Sequence, residues 1–162
     1  MDGTVVRRGV PADFERAVEV WRAANEARRG GPASPEHDGR VRAYVQNPTA
    51  FLFVADSADG IVGMAVGMQG LADDGAGPPI QDLLHVGAVF VAPNHWGEGL
   101  GGRLVDTVLA EARARNYARA QLWTHAENSR AQRLYERRGF GRSGREKEDD
   151  LDETIVHYDR WL

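Results

Sequence analysis

The stretch VFVAPNHWGEGLGG, residues 89–102, contains the features of the sequence that decide its fold. Its first residues complete an apolar run over 84–91, which predicts a buried strand that ends before Pro93. Four of the six residues from 97 to 102 are glycine. After them, apolar residues recur at helical spacing as far as about residue 115. The stretch therefore predicts a strand, a tight turn and an amphipathic helix.

The glycine turn, residues 96–102, has the chemistry of an anion-binding site. Backbone amides at the start of a helix have no acceptor within the helix, and the helix dipole adds partial positive charge there. Glycines let a bulky anion come close to those amides. Together these features predict a site for a pyrophosphate.

The turn also matches the pattern Gly-x-Gly-x-x-Gly of dinucleotide-binding domains, but its surroundings favour another fold. A Rossmann unit needs further parallel strands and an acidic residue at the tip of the next strand. Here only about 60 residues follow, and the next strand ends at Trp123-Thr124-His125 without an acid. The sequence has no nucleotide-binding P-loop pattern. A nicotinamide-binding module stays as an alternative, which NADH binding without competition from coenzyme A would support.

Hydrophobic periodicity and turn residues predict the elements on either side of the turn. Before residue 84 they indicate a strand, two helices, two strands and a long loop, over 4–8, 12–28, 35–46, 50–55, 61–68 and 69–81. After the helix they indicate a strand, a short helix capped by Asn128, and two strands, over 118–124, 129–138, 140–146 and 154–161. The order predicts one α/β (α+β) domain, residues 1–162, with a mixed, mostly antiparallel sheet of about six to seven strands flanked by four helices.

Three segments of the chain resemble the GNAT superfamily of acetyl-CoA-dependent N-acetyltransferases. They are Val89-Phe90-Val91-Ala92-Pro93, Trp96-Gly97-Glu98-Gly99-Leu100-Gly101, and Asn128 followed by Ala131-Gln132-Arg133-Leu134-Tyr135-Glu136-Arg137-Arg138-Gly139-Phe140. They have the order and spacing of the family's strand, its Gln/Arg-x-x-Gly-x-Gly/Ala turn and its Leu-Tyr helix. The specific match covers residues 85–140. Trp96 departs from the pattern, because the family usually has Gln or Arg at that position.

The resemblance implies a GNAT-like fold, acetyl-CoA as co-substrate and a set of residues that bind it. The backbone of Val89, Phe90 and Val91 would face the pantetheine arm and the thioester oxygen. The residues that would wrap the pyrophosphate are Trp96, Gly97, Glu98, Gly99, Leu100, Gly101 and Gly102. Asn128 would contact the pantetheine arm while it caps its helix.

Tyr135 and His85 are the predicted catalytic residues. The resemblance places Tyr135 near the sulfur of coenzyme A, and a phenol with a pKa of about 10 is protonated at pH 7 and can donate to the departing thiolate. The attacking amine must lose a proton, which a histidine can accept near neutral pH. His85 is the first candidate base, because many family members carry a Glu on this strand. Strand alternation places it on the face of Val89 unless a bulge intervenes. His125, at the end of the next strand, is the second candidate.

Composition limits the other function classes. The 162 residues include no cysteine, which excludes disulfides, thiolate metal sites and a cysteine nucleophile and is consistent with a cytoplasmic location. The net charge of −4 disfavours a nucleic-acid partner, and no apolar run is long enough for a membrane span. The five histidines are scattered without an i, i+4 pair, so no metal site is expected.

The acceptor is predicted only by class. The resemblance implies a primary amine, with a small molecule as the first choice. The alternatives are a protein N-terminus or lysine as acceptor, and a non-catalytic sensor that binds acyl-CoA. Asp73 and Asp74 in the predicted loop, with the acidic segment 146–153, could attract a cationic amine, although solvated loops have the same composition. Dimers are common in the family, so a homodimer is a further expectation.

Overall fold

The computed structural model describes residues 3–32 and 35–162, and for residues 35–38 it describes the backbone alone. The strands are β1 (Val5–Arg8), β2 (Phe51–Ser57), β3 (Gly60–Leu71), β4 (Pro79–Val91), β5 (Arg119–His125), β6 (Gly141–Glu148) and β7 (Thr154–Trp161). The helices are α1 (Phe14–Arg29), α2 (Pro35–Gln46), α3 (Leu100–Ala114) and α4 (Ser129–Glu136). Every helix and strand expected from the sequence is present, so the predicted order of elements is confirmed.

The strands form one seven-stranded sheet in the order β1-β2-β3-β4-β5-β7-β6. β4 and β5 are parallel, and all other neighbouring pairs are antiparallel. A parallel pair needs a crossover connection, which α3 supplies between β4 and β5. The sheet is therefore mixed and mostly antiparallel, as the sequence predicted.

β3 and β4 are longer than expected, and the segment predicted as a loop over 69–81 is partly strand. β3 continues to Leu71, and β4 begins at Pro79. The side-chain amide of Gln69 donates to the backbone carbonyl of Ile80 at 2.7 Å and joins the two extensions. Periodicity missed this pairing because Gly, Pro and Asp residues interrupt the apolar pattern.

Hydrophobic layers cover both faces of the sheet. α3 and α4 pack on one face, and α1 and α2 pack on the other. The predicted apolar stripe of α3 is buried over its whole length, at Leu100, Leu104, Val105, Val108, Leu109 and Ala112. Within residues 3–32 and 35–162, no helix has both the length and the apolar character needed to cross a bilayer.

A bulge at Gly87 changes which side chains of β4 share a face. The register between β3 and β4 shifts after Val66, which leaves Gly87 unpaired. His85 consequently contacts Tyr44 of α2, with ring centroids 6.4 Å apart, whereas Val89 packs in the layer formed by α3. The placement of His85 and Val89 on one face assumed a regular strand, and the bulge corrects it.

Candidate active site

A cavity of about 700 Å³ opens where β4 and β5 separate. The two strands pair only as far as His85 and Gln121. Beyond this point β4 pairs only with β3, and β5 pairs only with β7. Among the described strands, none therefore lies beside residues 88–91 on the side that faces β5. Strand backbone without a partner can hydrogen-bond a ligand. The separated strands therefore form a candidate binding site.

The cavity wall brings together several residues singled out from the sequence. They come from β4, β5 and α4, and they are His85, Val89, Phe90, His125, Asn128 and Tyr135. Val91 and the glycine turn are not part of this wall, because they lie at the far end of β4 and beyond it.

The glycine turn presents unpaired backbone amides at the start of α3. After Trp96, whose amide donates to the carbonyl of Pro93, the next amide with an acceptor belongs to Arg103 and donates to the carbonyl of Gly99 at 3.2 Å. Among the described residues, no atom accepts a hydrogen bond from the amides of residues 97–102. The φ angles of Gly97 and Gly99 are +86° and +78°, and a Cβ on either would meet no atom within 4 Å. Open amides at a helix start can bind a phosphate group.

The other residues of the turn contribute their backbone. The side chain of Leu100 is buried in the core. The carboxylate of Glu98 lies 2.9 Å from Nδ1 of His95, just before the turn. Gly102 lies beneath the guanidinium of Arg138, which would have to move to admit a Cβ. Gly101 differs, because a Cβ there would make only ordinary contacts, the nearest at 3.7 Å.

Trp96 holds a guanidinium beside the glycine turn. Its indole Nε1 donates to the carbonyl of Val91 at 2.7 Å, which fixes the ring. Arg130, in the first turn of α4, stacks over this ring with its Cζ 4.3 Å from the centroid. Arg130 has no ion-pair partner among the described residues. Arg130 was not predicted from the sequence, because no sequence pattern places residues 96 and 130 in contact.

Tyr135 is a buried residue on the cavity wall. It is 7% exposed, and its ring packs edge-on against Phe140 at a centroid distance of 5.9 Å. Burial raises the pKa of Tyr135 above its ordinary value, because a phenolate would lose its hydration. The phenol is therefore protonated at physiological pH and can donate to a group in the cavity.

His85 belongs to a row of polar side chains that reaches the protein surface. Its Nδ1 lies 3.5 Å from the amide nitrogen of Gln121, and the amide oxygen lies 2.9 Å from Nε2 of His157. Nδ1 of His157 lies 2.7 Å from the hydroxyl of the exposed Ser143. Burial, with added repulsion from His157 and Lys147, lowers the pKa of His85 to about 4. His85 is consequently neutral at pH 7.

We expect this lowered pKa to make the protein less stable in mild acid. Between pH 6.5 and pH 4, His85 takes up a proton in the unfolded chain but not in the folded one, so the free energy of unfolding falls as the pH falls. At 1.36 kcal/mol per pKa unit, the loss reaches about 3 kcal/mol near pH 4. Urea unfolding at pH 7 and pH 5 should show a smaller loss in His85→Gln than in the original protein. Equal losses would contradict the burial of this imidazole.

His125 has an acidic partner at the cavity wall. Its Nε2 lies 3.0 Å from Oδ2 of Asp149. Burial alone would raise the pKa of Asp149, but hydrogen bonds from the amides of Glu153 and Leu151 and from His125 outweigh it and lower the pKa. Asp149 is therefore a carboxylate at pH 7. With its Nε2 proton directed at Asp149, His125 keeps a lone pair on Nδ1 and can act as a base.

His125, Asp149 and Glu153 also bring three potential metal-ligand atoms within 4.8 Å of one another. Arg28 lies among them, with one guanidinium nitrogen 3.1 Å from Glu153 and another 3.4 Å from Nε2 of His125. A guanidinium in this position repels a metal cation. The cluster therefore fits a network of ion pairs better than a metal centre.

The acidic segment between β6 and β7 is tied to α1 and α2 by ion pairs. Glu153 pairs with Arg28 and Arg29 at 3.1 and 3.0 Å, and Asp150 pairs with Arg40. Of these residues, Arg28, Arg40 and Asp150 line the cavity. These carboxylates, considered from the sequence as attractants for a cationic amine, are therefore already engaged by arginines.

Solved structures share this fold over nearly the whole chain. The ribosomal-protein-S18-alanine N-acetyltransferase from Escherichia coli matches with a TM-score of 0.75 and 18% identity, over 98% of this chain and 94% of its own. The PaiA N-acetyltransferase from Thermoplasma acidophilum, solved in complex with coenzyme A, gives 0.67 and 15%, over 96% and 98%. The IAA acetyltransferase from Bacillus cereus gives 0.69 and 15%, over 99% and 100%. At these identities the likeness establishes the fold alone.

A search by sequence finds no match among curated proteins. The model of the Acetyltransferase (GNAT) family, in contrast, matches residues 16–140. This match extends from α1 to the end of α4 and includes the cavity wall on β4, the glycine turn and Tyr135. The chain therefore belongs to the GNAT family of acetyltransferases, which use acetyl-CoA and act on amines.

Proposed function

We propose that this protein transfers the acetyl group of acetyl-CoA to a primary amine of a small molecule, by direct attack in a ternary complex. One observation carries the proposal: Tyr135, two histidines and the unpaired backbone of β4 share one cavity. An amine and a thioester can react there without an acetylated enzyme intermediate, for which the chain has no cysteine.

In this proposal the glycine turn binds the pyrophosphate of coenzyme A. Its open amides and the dipole of α3 supply hydrogen-bond donors and partial positive charge. Arg130 adds a full positive charge next to the turn, where the family pattern has Gln or Arg. Trp96 thus contributes through Arg130, because its ring is the platform that holds the guanidinium of Arg130.

The pantetheine arm would lie in the gap between β4 and β5. Oδ1 of Asn128 caps α4 by accepting from the amide of Ala131 at 3.1 Å, which leaves the Asn128 NH₂ group for the ligand. Backbone amides near Val89 and Phe90 would donate to the pantetheine and to the thioester oxygen. That oxygen gains negative charge as the amine attacks, so a fixed donor lowers the barrier.

The reaction exchanges one bond for another at the carbonyl carbon. The neutral amine attacks, the C–N bond forms, the C–S bond breaks, and coenzyme A leaves as a thiolate. The amine nitrogen gives a proton to a base, and Tyr135 donates its hydroxyl hydrogen to the thiolate, so coenzyme A is released as the thiol and the phenolate takes a proton back from solvent. Because the phenol is protonated at pH 7, no prior ionisation step is required.

His125 is the better matched of the two candidate bases. Asp149 stabilises the imidazolium that forms when Nδ1 of His125 accepts a proton. His85, the first candidate from the sequence, becomes the second, because a pKa of about 4 makes it a poor proton acceptor at pH 7. We expect kcat to fall about a hundredfold in His125→Gln and only slightly in His85→Gln, with the Kd for acetyl-CoA unchanged in both. The opposite result would assign the base to His85.

Ion pairs beside the cavity support a small acceptor. The ion pairs of Arg28, Arg29 and Arg40 connect α1 and α2 with the segment between β6 and β7. A polypeptide acceptor would need an open groove between these elements. A small molecule needs only the cavity itself.

A thiol-release assay with acetyl-CoA tests the proposal across classes of amine. The panel contains amino acids, polyamines, an aminoglycoside and a peptide with a free N-terminus, and we expect the highest kcat/KM for a small molecule. Preference for the peptide would favour a protein acetyltransferase. Binding of coenzyme A without release with any amine would favour the non-catalytic sensor.

A further inference from the structure

We propose that the acceptor amine carries an anionic group of the carboxylate type, which Lys147 binds inside the cavity. The inference rests on the proposed function, because it names the class of the acceptor. Lys147 lies on the cavity wall, which it shares with His85 and Tyr135. An amino acid, or an amine with a similarly placed acidic group, is the class of molecule that this wall fits.

Lys147 is held against an aromatic surface of the cavity. Its Nζ lies 4.5 Å from the ring centroid of Trp123, which is also a wall residue. The face of an indole attracts an ammonium group and limits its movement. The side chain of Lys147 is 36% exposed, so its charge is partly shielded from bulk water. Besides burial, this charge helps to lower the pKa of His85 and of His157.

Lys147 lacks a close anionic partner. Among the described residues, the only carboxylate oxygen within 4.0 Å is Oδ2 of Asp74, which lies at that limit. Oδ1 of the same carboxylate accepts a hydrogen bond from Arg145. An ammonium group has three N–H donors, so Lys147 can bind a second anion.

The other cations of the wall are already paired. Arg28 lies 3.1 Å from Glu153, and Arg40 pairs with Asp150. Within the part of the wall that the structure describes, Lys147 is therefore the cation best able to receive a carboxylate from a ligand. The wall carboxylates Asp149 and Asp150 are likewise paired, with His125 and Arg40.

A carboxylate bound at Lys147 would orient the rest of the acceptor. The amine of an amino acid is attached to the carbon that bears the carboxylate, so fixing one group restricts the other to its neighbourhood. That neighbourhood is the wall shared by Lys147, His85 and Tyr135. Restricting the amine in this way favours attack on a thioester in the same cavity.

Pairs of acceptors that differ in the carboxylate test this inference, with kcat/KM expressed per concentration of neutral amine because a carboxamide lowers the pKa of the neighbouring amine. The pairs are phenylalanine, methionine and glutamate, each with its α-carboxamide, in the thiol-release assay at saturating acetyl-CoA. We expect kcat/KM to favour the carboxylate by about tenfold in the original protein, because one charge-assisted hydrogen bond is lost in the amide. Lys147→Gln should remove this preference, and Lys147→Arg should retain most of it. Arg113→Gln, which changes the same charge on an exposed residue of α3, should leave the preference intact.

The outcomes separate this inference from the function on which it rests. Equal kcat/KM for acid and amide in the original protein, or the same preference in Lys147→Gln, would overturn the role of Lys147 and leave the acetyltransferase activity in place. Release with none of the amines would overturn the proposed function, and the inference with it. A loss of the preference in Arg113→Gln would show a general effect of net charge and would also overturn it.

Discussion

Replacing Tyr135 with phenylalanine should lower kcat about a hundredfold and leave the Kd for acetyl-CoA unchanged. A positioned proton donor contributes about a hundredfold or more to the rate of a proton-transfer step. The substitution removes only the hydroxyl. The ring keeps its edge-on contact with Phe140, so the fold and the shape of the cavity are preserved. The departing thiolate loses its donor, which slows cleavage of the C–S bond. Thiol release measures kcat, and titration calorimetry measures the Kd.

Tyr117→Phe is the matched control for this prediction. Tyr117 also packs against the core but is not part of the cavity wall. Its kcat should match that of the original protein. Because burial raises the pKa of Tyr135, ionisation of this phenol should not produce a basic limb in the pH profile near neutrality. An unchanged kcat in Tyr135→Phe would exclude the proposed donor role.

The substitution Gly99→Asp should weaken coenzyme A binding about a hundredfold. It places a negative charge among the backbone amides of the turn, whose charge-assisted hydrogen bonds would hold the pyrophosphate. Gly99 has a φ of +78° and occupies the position just before α3. Aspartate tolerates this left-handed conformation better than most residues, so the helix start should survive. Calorimetric titration with coenzyme A measures the Kd, and thermal unfolding verifies that the variant is folded. A Kd within twofold of the original would exclude this turn as the pyrophosphate site.

Two further variants test the neighbourhood of the turn in the same titration. Gly101→Ala should bind normally, because the added methyl group would meet its nearest atom at 3.7 Å. Arg130→Ala should weaken binding by a smaller factor, about fivefold, as expected for one partly solvated phosphate contact. An unchanged Kd in Arg130→Ala would show that the Trp96 platform does not serve the cofactor.

Local patterns were sufficient to predict most of the fold. The apolar stripe of α3 and the apolar patterns of the strands before and after it each depend on residues close together in the chain. Periodicity therefore reveals them. The glycine turn was recognisable for the same reason, since a strand, glycines and a helix start are adjacent in sequence. The order of these segments led to the GNAT resemblance, which the family match over residues 16–140 confirms.

The sequence by itself determined the elements, their order and the family, and the tertiary structure decided which side chains meet. The bulge at Gly87 places His85 on the face covered by α1 and α2. The bulge depends on the register between β3 and β4, which no local sequence pattern shows. The stacking of Arg130 on Trp96 and of Lys147 on Trp123 likewise joins residues far apart in the chain. Such contacts form only when separate elements pack together, so side-chain chemistry read along the sequence cannot show them.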